Sequence, residues 1–108
     1  MIEIEVRAAE YQVLIGGRRV PFTVREFQTF HCLERNHDRV MTRAEIYDCV
    51  WGGRMVPRDR SVDVFVRKVR TKLAEICPGF VFIHTHFGIG YRYAPEPAVP
   101  MQMVSARA

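Results

Sequence analysis

The sequence predicts an α+β domain with an N-terminal antiparallel sheet, three helices and a C-terminal β-hairpin. Three observations carry that prediction. Residues 2–7 (IEIEVR) alternate apolar and charged side chains, the period-two pattern of a half-buried strand. Two capping boxes, Thr23-Val-Arg-Glu26 and Thr42-Arg-Ala-Glu45, announce helix starts nineteen residues apart. Near the end, THFGIGYRY (85–93) places two glycines among aromatic residues, as a tight hairpin requires.

The elements follow in order. After the strand at 2–7, Tyr11 to Ile15 form a second strand, Gly16-Gly17 a two-residue turn and Arg18 to Val20 a short third strand, closed by Pro21. The first helix runs from the Thr23 cap to about Asn36, with Phe27, Phe30 and Leu33 on its apolar face. The second opens at Thr42, turns Ile46, Tyr47, Val50 and Trp51 inward, and ends at Gly52-Gly53. A loop from Gly52 to Arg58 leads to Asp59, the expected N-cap of a third helix over 59–76, which Cys77-Pro78-Gly79 breaks. Phe80 to His84 and Tyr91 to Ala94 are the arms of the hairpin. One domain over 1–94 is expected, followed by a disordered tail over 95–108, where three prolines fall without periodicity.

On the third helix, Val62, Val66, Val69 and Leu73 share one narrow sector, with Ile76 at its edge. Arg60, Val64, Arg67, Lys68 and Thr71 lie opposite, with Ser61 at the rim. The outward face is thus basic, with small groups between the cations. Asp63, four residues before Arg67, is expected to pair with it. The formal net charge is +4, and its placement is uneven. From Arg54 to Lys72 there are seven basic and two acidic side chains, whereas the rest of the chain is slightly acidic. Such concentration points to a polyanionic partner, and long cations interleaved with small side chains suit a DNA major groove.

Other classes fare poorly. No nucleophile–base set with a supporting carboxylate stands at a recognisable motif, so no enzyme is expected. His84-x-His86 lacks further ligands at metal-binding spacing, so neither metal nor cofactor is expected. No apolar run approaches the ~18 residues of a membrane span, and the start of the chain has no signal-peptide pattern. Cys32, Cys49 and Cys77 form no disulfide framework and are expected to be reduced and mostly buried, in a cytoplasmic protein.

Two segments together carry a resemblance. Arg60-Ser-Val-Asp-Val-Phe-Val-Arg-Lys-Val-Arg-Thr-Lys-Leu73 and Ile83-His-Thr-His-Phe-Gly-Ile-Gly-Tyr-Arg-Tyr93 resemble the C-terminal DNA-binding domain of OmpR/PhoB-type response regulators. The likeness spans about Tyr11 to Tyr93, including Phe22-Thr23 with Glu26-Phe27, Arg39-Val40, and Val50-Trp51-Gly52. It implies a winged helix-turn-helix regulator of a two-component system, with the third helix in the major groove of double-stranded DNA. The wing, 84–92, would then lie on the adjacent minor groove. Arg60 and Arg67 stand where relatives hold phosphates, as do Trp51, Thr85, Gly88 and Tyr91. Ser61, Val64 and Lys68 stand at base-contact positions, Arg70 at one edge, with Thr71 on the same face and His86 beside the wing turn. Gly53, Arg54, Met55 and Val56 match the loop that contacts RNA polymerase, and relatives bind direct repeats as head-to-tail pairs.

The chain departs from the pattern in three places. Phe87 occupies a wing position where arginine is common, and is expected to pack as structure or against sugars rather than to wedge between bases. Phe65 replaces a polar phosphate contact. The phosphorylatable receiver domain of the family is absent from this sequence, which is expected to be either a fragment without its receiver or a stand-alone or differently fused regulator. The two phenylalanines leave a rival reading open, a winged-helix module that binds RNA polymerase or a partner domain with weak or no DNA reading.

Overall fold

The computed structural model describes residues 2–98. The N-terminal sheet is a meander of β1 (Ile4–Arg7), β2 (Gln12–Ile15) and β3 (Arg18–Arg19), with Ile4 opposite Ile15 and Val6 opposite Val13. Gly16 and Gly17 take φ +56 and +80, so the turn between β2 and β3 has both central residues left-handed, the geometry that matches strand twist. The strands are shorter than the sequence pattern implies. A single 3-10 turn at Ala8–Glu10 intervenes, and Tyr11 leaves the ladder at φ +55.

Helix α1 (Val24–Arg35) and helix α2 (Arg43–Val50) start as expected. Thr23 and Thr42 each accept the amide of the third helical residue, and Glu26 and Glu45 each bond the cap's own amide. Helix α3 (Ser61–Ile76) begins two residues later than 59. Arg60 occupies the cap position and makes no side-chain cap, while the Asp59 carboxylate accepts the Ser61 amide at 2.8 Å from just outside the helix.

The core collects Phe27, Phe30 and Leu33 from α1, Ile46 from α2, and Val62, Val66, Val69 and Leu73 from α3. Val13, Ile15 and Val20 close it from the N-terminal sheet. Each such side chain contributes roughly 1.5–3 kcal/mol on leaving water. This burial fixes the azimuth of α3 and therefore which of its residues face outward.

A second sheet has the order β4-β6-β5, formed by β4 (Met41–Thr42), β5 (Phe80–His86) and β6 (Gly90–Pro97). The two-residue β4, between the helices, pairs with the wing through Met41–Tyr91 and Thr42–Gly90. A Cβ on Gly90 would stand 1.9 Å from the Met41 carbonyl oxygen, so this crossing admits only glycine. The return strand continues through Pro97, three residues past Ala94. Beyond Tyr91 it has a single neighbour, β5, and a strand with one open side tolerates the missing amides of Pro95 and Pro97. Residues 99–108 of the expected tail lie outside the described residues.

Of the cysteines, Cys32 alone is fully buried; Cys77 is intermediate and Cys49 exposed, and all three are free. Burial pushes the Cys32 thiol pKa up. Among the described residues, no helix is long and apolar enough to cross a membrane.

Candidate nucleic-acid interface

The outward face of α3 carries Arg67, Lys68 and Thr71 exposed, with Ser61 and Val64 half-buried and Arg60 exposed just before the helix. Lys68 sits with its ammonium 4.7 Å from the Phe65 ring centroid, and Thr71 returns its hydroxyl to the Arg67 carbonyl. Phe65 lies between that lysine and Trp51, whose ring it meets edge-on at 5.5 Å. Trp51 stacks on Tyr47 at 5.3 Å and lies under the Arg25 guanidinium at 5.2 Å. Arg25 also donates to the Val50 carbonyl, closing the C-terminus of α2. Phe65 thus joins an aromatic and cationic cluster that supports the helix from its α2 side.

The flank of α3 that faces the wing is organised by Asp63 and Arg70, seven residues and about two turns apart. The expected Asp63–Arg67 pair does not form. Asp63 instead accepts from Arg43 Nε at 2.7 Å and from the Tyr91 hydroxyl at 2.5 Å, with Arg60 Nε at 3.5 Å. The flank is half-buried, and there a carboxylate gains more from a neighbouring cation and phenol than from an arginine in open water. Burial pushes the Asp63 pKa up, but the bonds from Tyr91 and Arg43 outweigh it, so the group is held below the ordinary aspartate range.

Arg70 points inward as well, and so leaves the edge of the outward face of α3. Its guanidinium donates twice to the Ile83 carbonyl, at 2.8 and 3.2 Å, and once to Thr85 Oγ1 at 2.6 Å. It also lies 5.4 Å from the centroid of the Tyr91 ring, with Arg43 at 5.2 Å from the same centroid. Burial lowers the Arg70 pKa, yet the side chain meets three acceptor contacts there. Tyr91 is buried, with its hydroxyl engaged by Asp63, so it positions the wing rather than presenting a phenol to a ligand.

Lys72 belongs to the basic stretch but is likewise spent inside. Its ammonium bonds Glu26 at 2.6 Å and the Pro21 carbonyl at 2.7 Å. Glu26 is 4% exposed; burial raises its pKa, and Lys72 with the Thr23 amide more than reverses that, for a net lowering. The charge concentration read from the sequence therefore divides in two. Lys72 and Arg70 hold the fold together, while Arg67 and Lys68 remain on the surface.

At the wing, Thr85, His86, Phe87 and Gly88 follow one another into the turn. His86 Nε2 accepts from Arg92 Nε at 3.1 Å, and His84 Nε2 lies 2.7 Å from the Ala94 carbonyl. Phe87 does not fold back into the core: it is 90% exposed at the apex. The loop residues Gly53, Arg54 and Val56 are exposed, with Met55 packed partly against the core. The Gly53 amide is tied to Asp48.

Residues 17–93 match the family model described as transcriptional regulatory protein, C terminal. The chain belongs to this family, the DNA-binding domains of OmpR/PhoB-type regulators. The family is one of transcription regulators, not of enzymes. The chain is 30% identical over 89 residues to the sensory transduction protein RegX3 of Mycolicibacterium smegmatis, an alignment covering 82% of this chain. It spans 39% of the length of that curated relative. Among solved structures, the DNA-binding domain of Klebsiella pneumoniae RstA, in complex with the RstA box, superposes with a TM-score of 0.75 at 26% identity. That match covers 84% of this chain and 90% of the other. The DNA-binding domain of the response regulator AdeR, in complex with an intercistronic region, gives 0.69 at 27% identity, covering 83% and 90%.

Within this OmpR/PhoB-type domain, the sequence pattern located the outward face of α3 and missed the inner flank. Asp63, Arg43 and Arg25 support that face from outside the pattern of outward residues. The helical wheel held the signal for the first, since Asp63 and Arg70 fall on one flank beside the apolar stripe. Nothing local marked Arg43 or Arg25, whose partners lie twenty and twenty-five residues away.

Proposed function

We propose that this domain binds double-stranded DNA sequence-specifically, with α3 in the major groove and the wing on the adjacent minor groove and backbone. The observation that carries this reading is the division of labour on α3. Its apolar stripe and inner flank are engaged with the fold, while Arg67, Lys68 and Thr71 are exposed, Lys68 leaning on Phe65 and Thr71 bonding the Arg67 carbonyl within the same helix. Arg60 and Arg67 serve as phosphate contacts; Ser61, Val64 and Lys68 reach base edges, with Thr71 beside them. Thr85, His86 and the backbone at Gly88 supply wing contacts to the sugar-phosphate chain, and Trp51 supports the backbone from the end of α2.

The loop Gly53–Val56 is the proposed RNA polymerase contact, favoured by Val56 standing 60% exposed beside the exposed Arg54. Direct-repeat sites occupied head-to-tail by two copies, and a cytoplasmic setting in keeping with three free thiols, complete the reading. Selection from a random duplex pool at two salt concentrations tests it. Enrichment of a spaced direct repeat that weakens with salt supports a DNA reader. A folded protein that enriches nothing at either salt overturns it in favour of a protein-binding winged helix.

A further inference from the structure

The wing tip differs in chemistry from the rest of the surface around it. β5 and β6 remain paired as far as His86 opposite Gly90, which leaves only Phe87, Gly88 and Ile89 at the apex. The Ile89 amide donates to the His86 carbonyl at 2.9 Å, and Gly88 turns the chain at φ +78, a conformation that favours glycine. Phe87 is 90% exposed and Ile89 56%, so two apolar side chains flank a glycine and project beyond the last rung of the ladder. No acidic residue occurs between 84 and 93, so a polyanion is not repelled. The apex itself also holds no cation, so the negative potential of a groove is not what it responds to.

We propose that Phe87 is a minor-groove wedge: its ring enters between two base pairs, unstacks that step and kinks the duplex, with Ile89 packed on the neighbouring sugars. The proposal rests on the DNA-binding reading above. Three observations carry it further. The tip is continuous with the DNA-facing surface of Thr85 and His86. Its position relative to α3 is fixed, because Arg70 clamps β5 through the Ile83 carbonyl and the Thr85 hydroxyl while Tyr91 anchors β6 to Asp63. A wedge needs such support to transmit force. Finally, two side chains are too few for a protein interface, which needs about 800 Å² from each partner, whereas a lone phenylalanine is sufficient to open a base step. The preferred target is then a TA or CA/TG step, the easiest to unstack, rather than the A-tract that a wing arginine favours.

The test uses the whole 108-residue chain and the duplex it enriches from a random pool. That duplex carries 2-aminopurine at successive adenines under the wing, or a donor and acceptor dye at its ends. The expected result is a fluorescence rise confined to one step and a bend of about 20–90°. Phe87→Ala removes both and weakens binding, with the salt slope unchanged because no phosphate contact is lost; Phe87→Leu keeps both. The exposure of Phe87 leaves the core untouched in either variant, and a thermal melt checks this. An enriched duplex with neither bend nor fluorescence rise, or a bend that survives Phe87→Ala, overturns the wedge and leaves the DNA reading standing. A folded chain that enriches no duplex overturns both.

Discussion

Lys68 and Arg67 are neighbours in sequence with different surroundings and different expected roles. Lys68 leans over the Phe65 ring, which restricts an otherwise floppy side chain, as a base contact requires. Arg67 stands exposed with no carboxylate partner among the described residues, as suits a phosphate contact. Lys68→Ala is expected to cost roughly 1–3 kcal/mol on the selected site and relax one base position, whereas Arg67→Ala weakens all sequences alike and lowers the salt slope by about one. Titration of both variants on selected and scrambled duplexes decides the matter; identical losses on the two duplexes for both variants contradict the assignment. Asp63 shows why an i,i+4 rule is a weak guide at a half-buried site. The rule names Arg67, but tertiary structure brings Arg43 and the Tyr91 hydroxyl closer, and the carboxylate follows them.

At the scale of elements, the wing hangs on β4 and on Arg70. Gly90→Ala drives a methyl group into the Met41 carbonyl, so β4 must part from β6. The expected outcome is a loss of several kcal/mol in denaturant unfolding, at the severe end of single substitutions, because the clash is with backbone that cannot yield as a side-chain tip can. Gly88→Ala strains one exposed turn at φ +78 and meets no atom, and is expected to cost less. Equal stability losses would contradict this placement of the wing. The same elements mark how far the sequence was legible. Both capping boxes and the four-residue stripe of α3 are local or periodic, and the structure has them as read. The two-residue β4 has no periodicity to detect, and its partner lies about fifty residues on. The extra rungs of β6 through Pro97 run against local preference, since prolines read as a stop until the open side of the strand is known. The expectation that Phe87 packs into the fold fails for a similar reason. Aromatic residues are usually buried, and nothing local says that this turn carries its side chain away from the core.

For the whole molecule, acidity is linked to stability through the carboxylates held below their ordinary pKa, Glu26, Glu45, Asp59 and Asp63, of which Glu26 and Asp63 are the ones shielded from water. Glu26 and Asp63 both have folded pKa values below their ordinary 4.5 and 3.8, so the unfolded chain takes up protons first as the pH falls. Their contribution is complete above those ordinary values and is lost as the pH drops through them toward the lower folded ones. Denaturant midpoints followed from pH 7 to pH 3 are expected to fall below about pH 4.5, with a shallower acid dependence in Asp63→Asn; no difference in slope would mean that the Arg43–Asp63–Tyr91 cluster adds nothing. Charge is divided at this scale too, with Lys72–Glu26 and Arg70 securing the fold and the outward cations free for a partner. The most direct measurement is the affinity of the whole chain for its selected duplex and for a scrambled duplex across a salt series. A sequence-reading domain gives affinities that fall steeply with salt on both and stay well separated, by about 10³-fold or more near physiological salt. Affinities that coincide at every salt, or that ignore salt, would contradict a sequence-specific DNA reader.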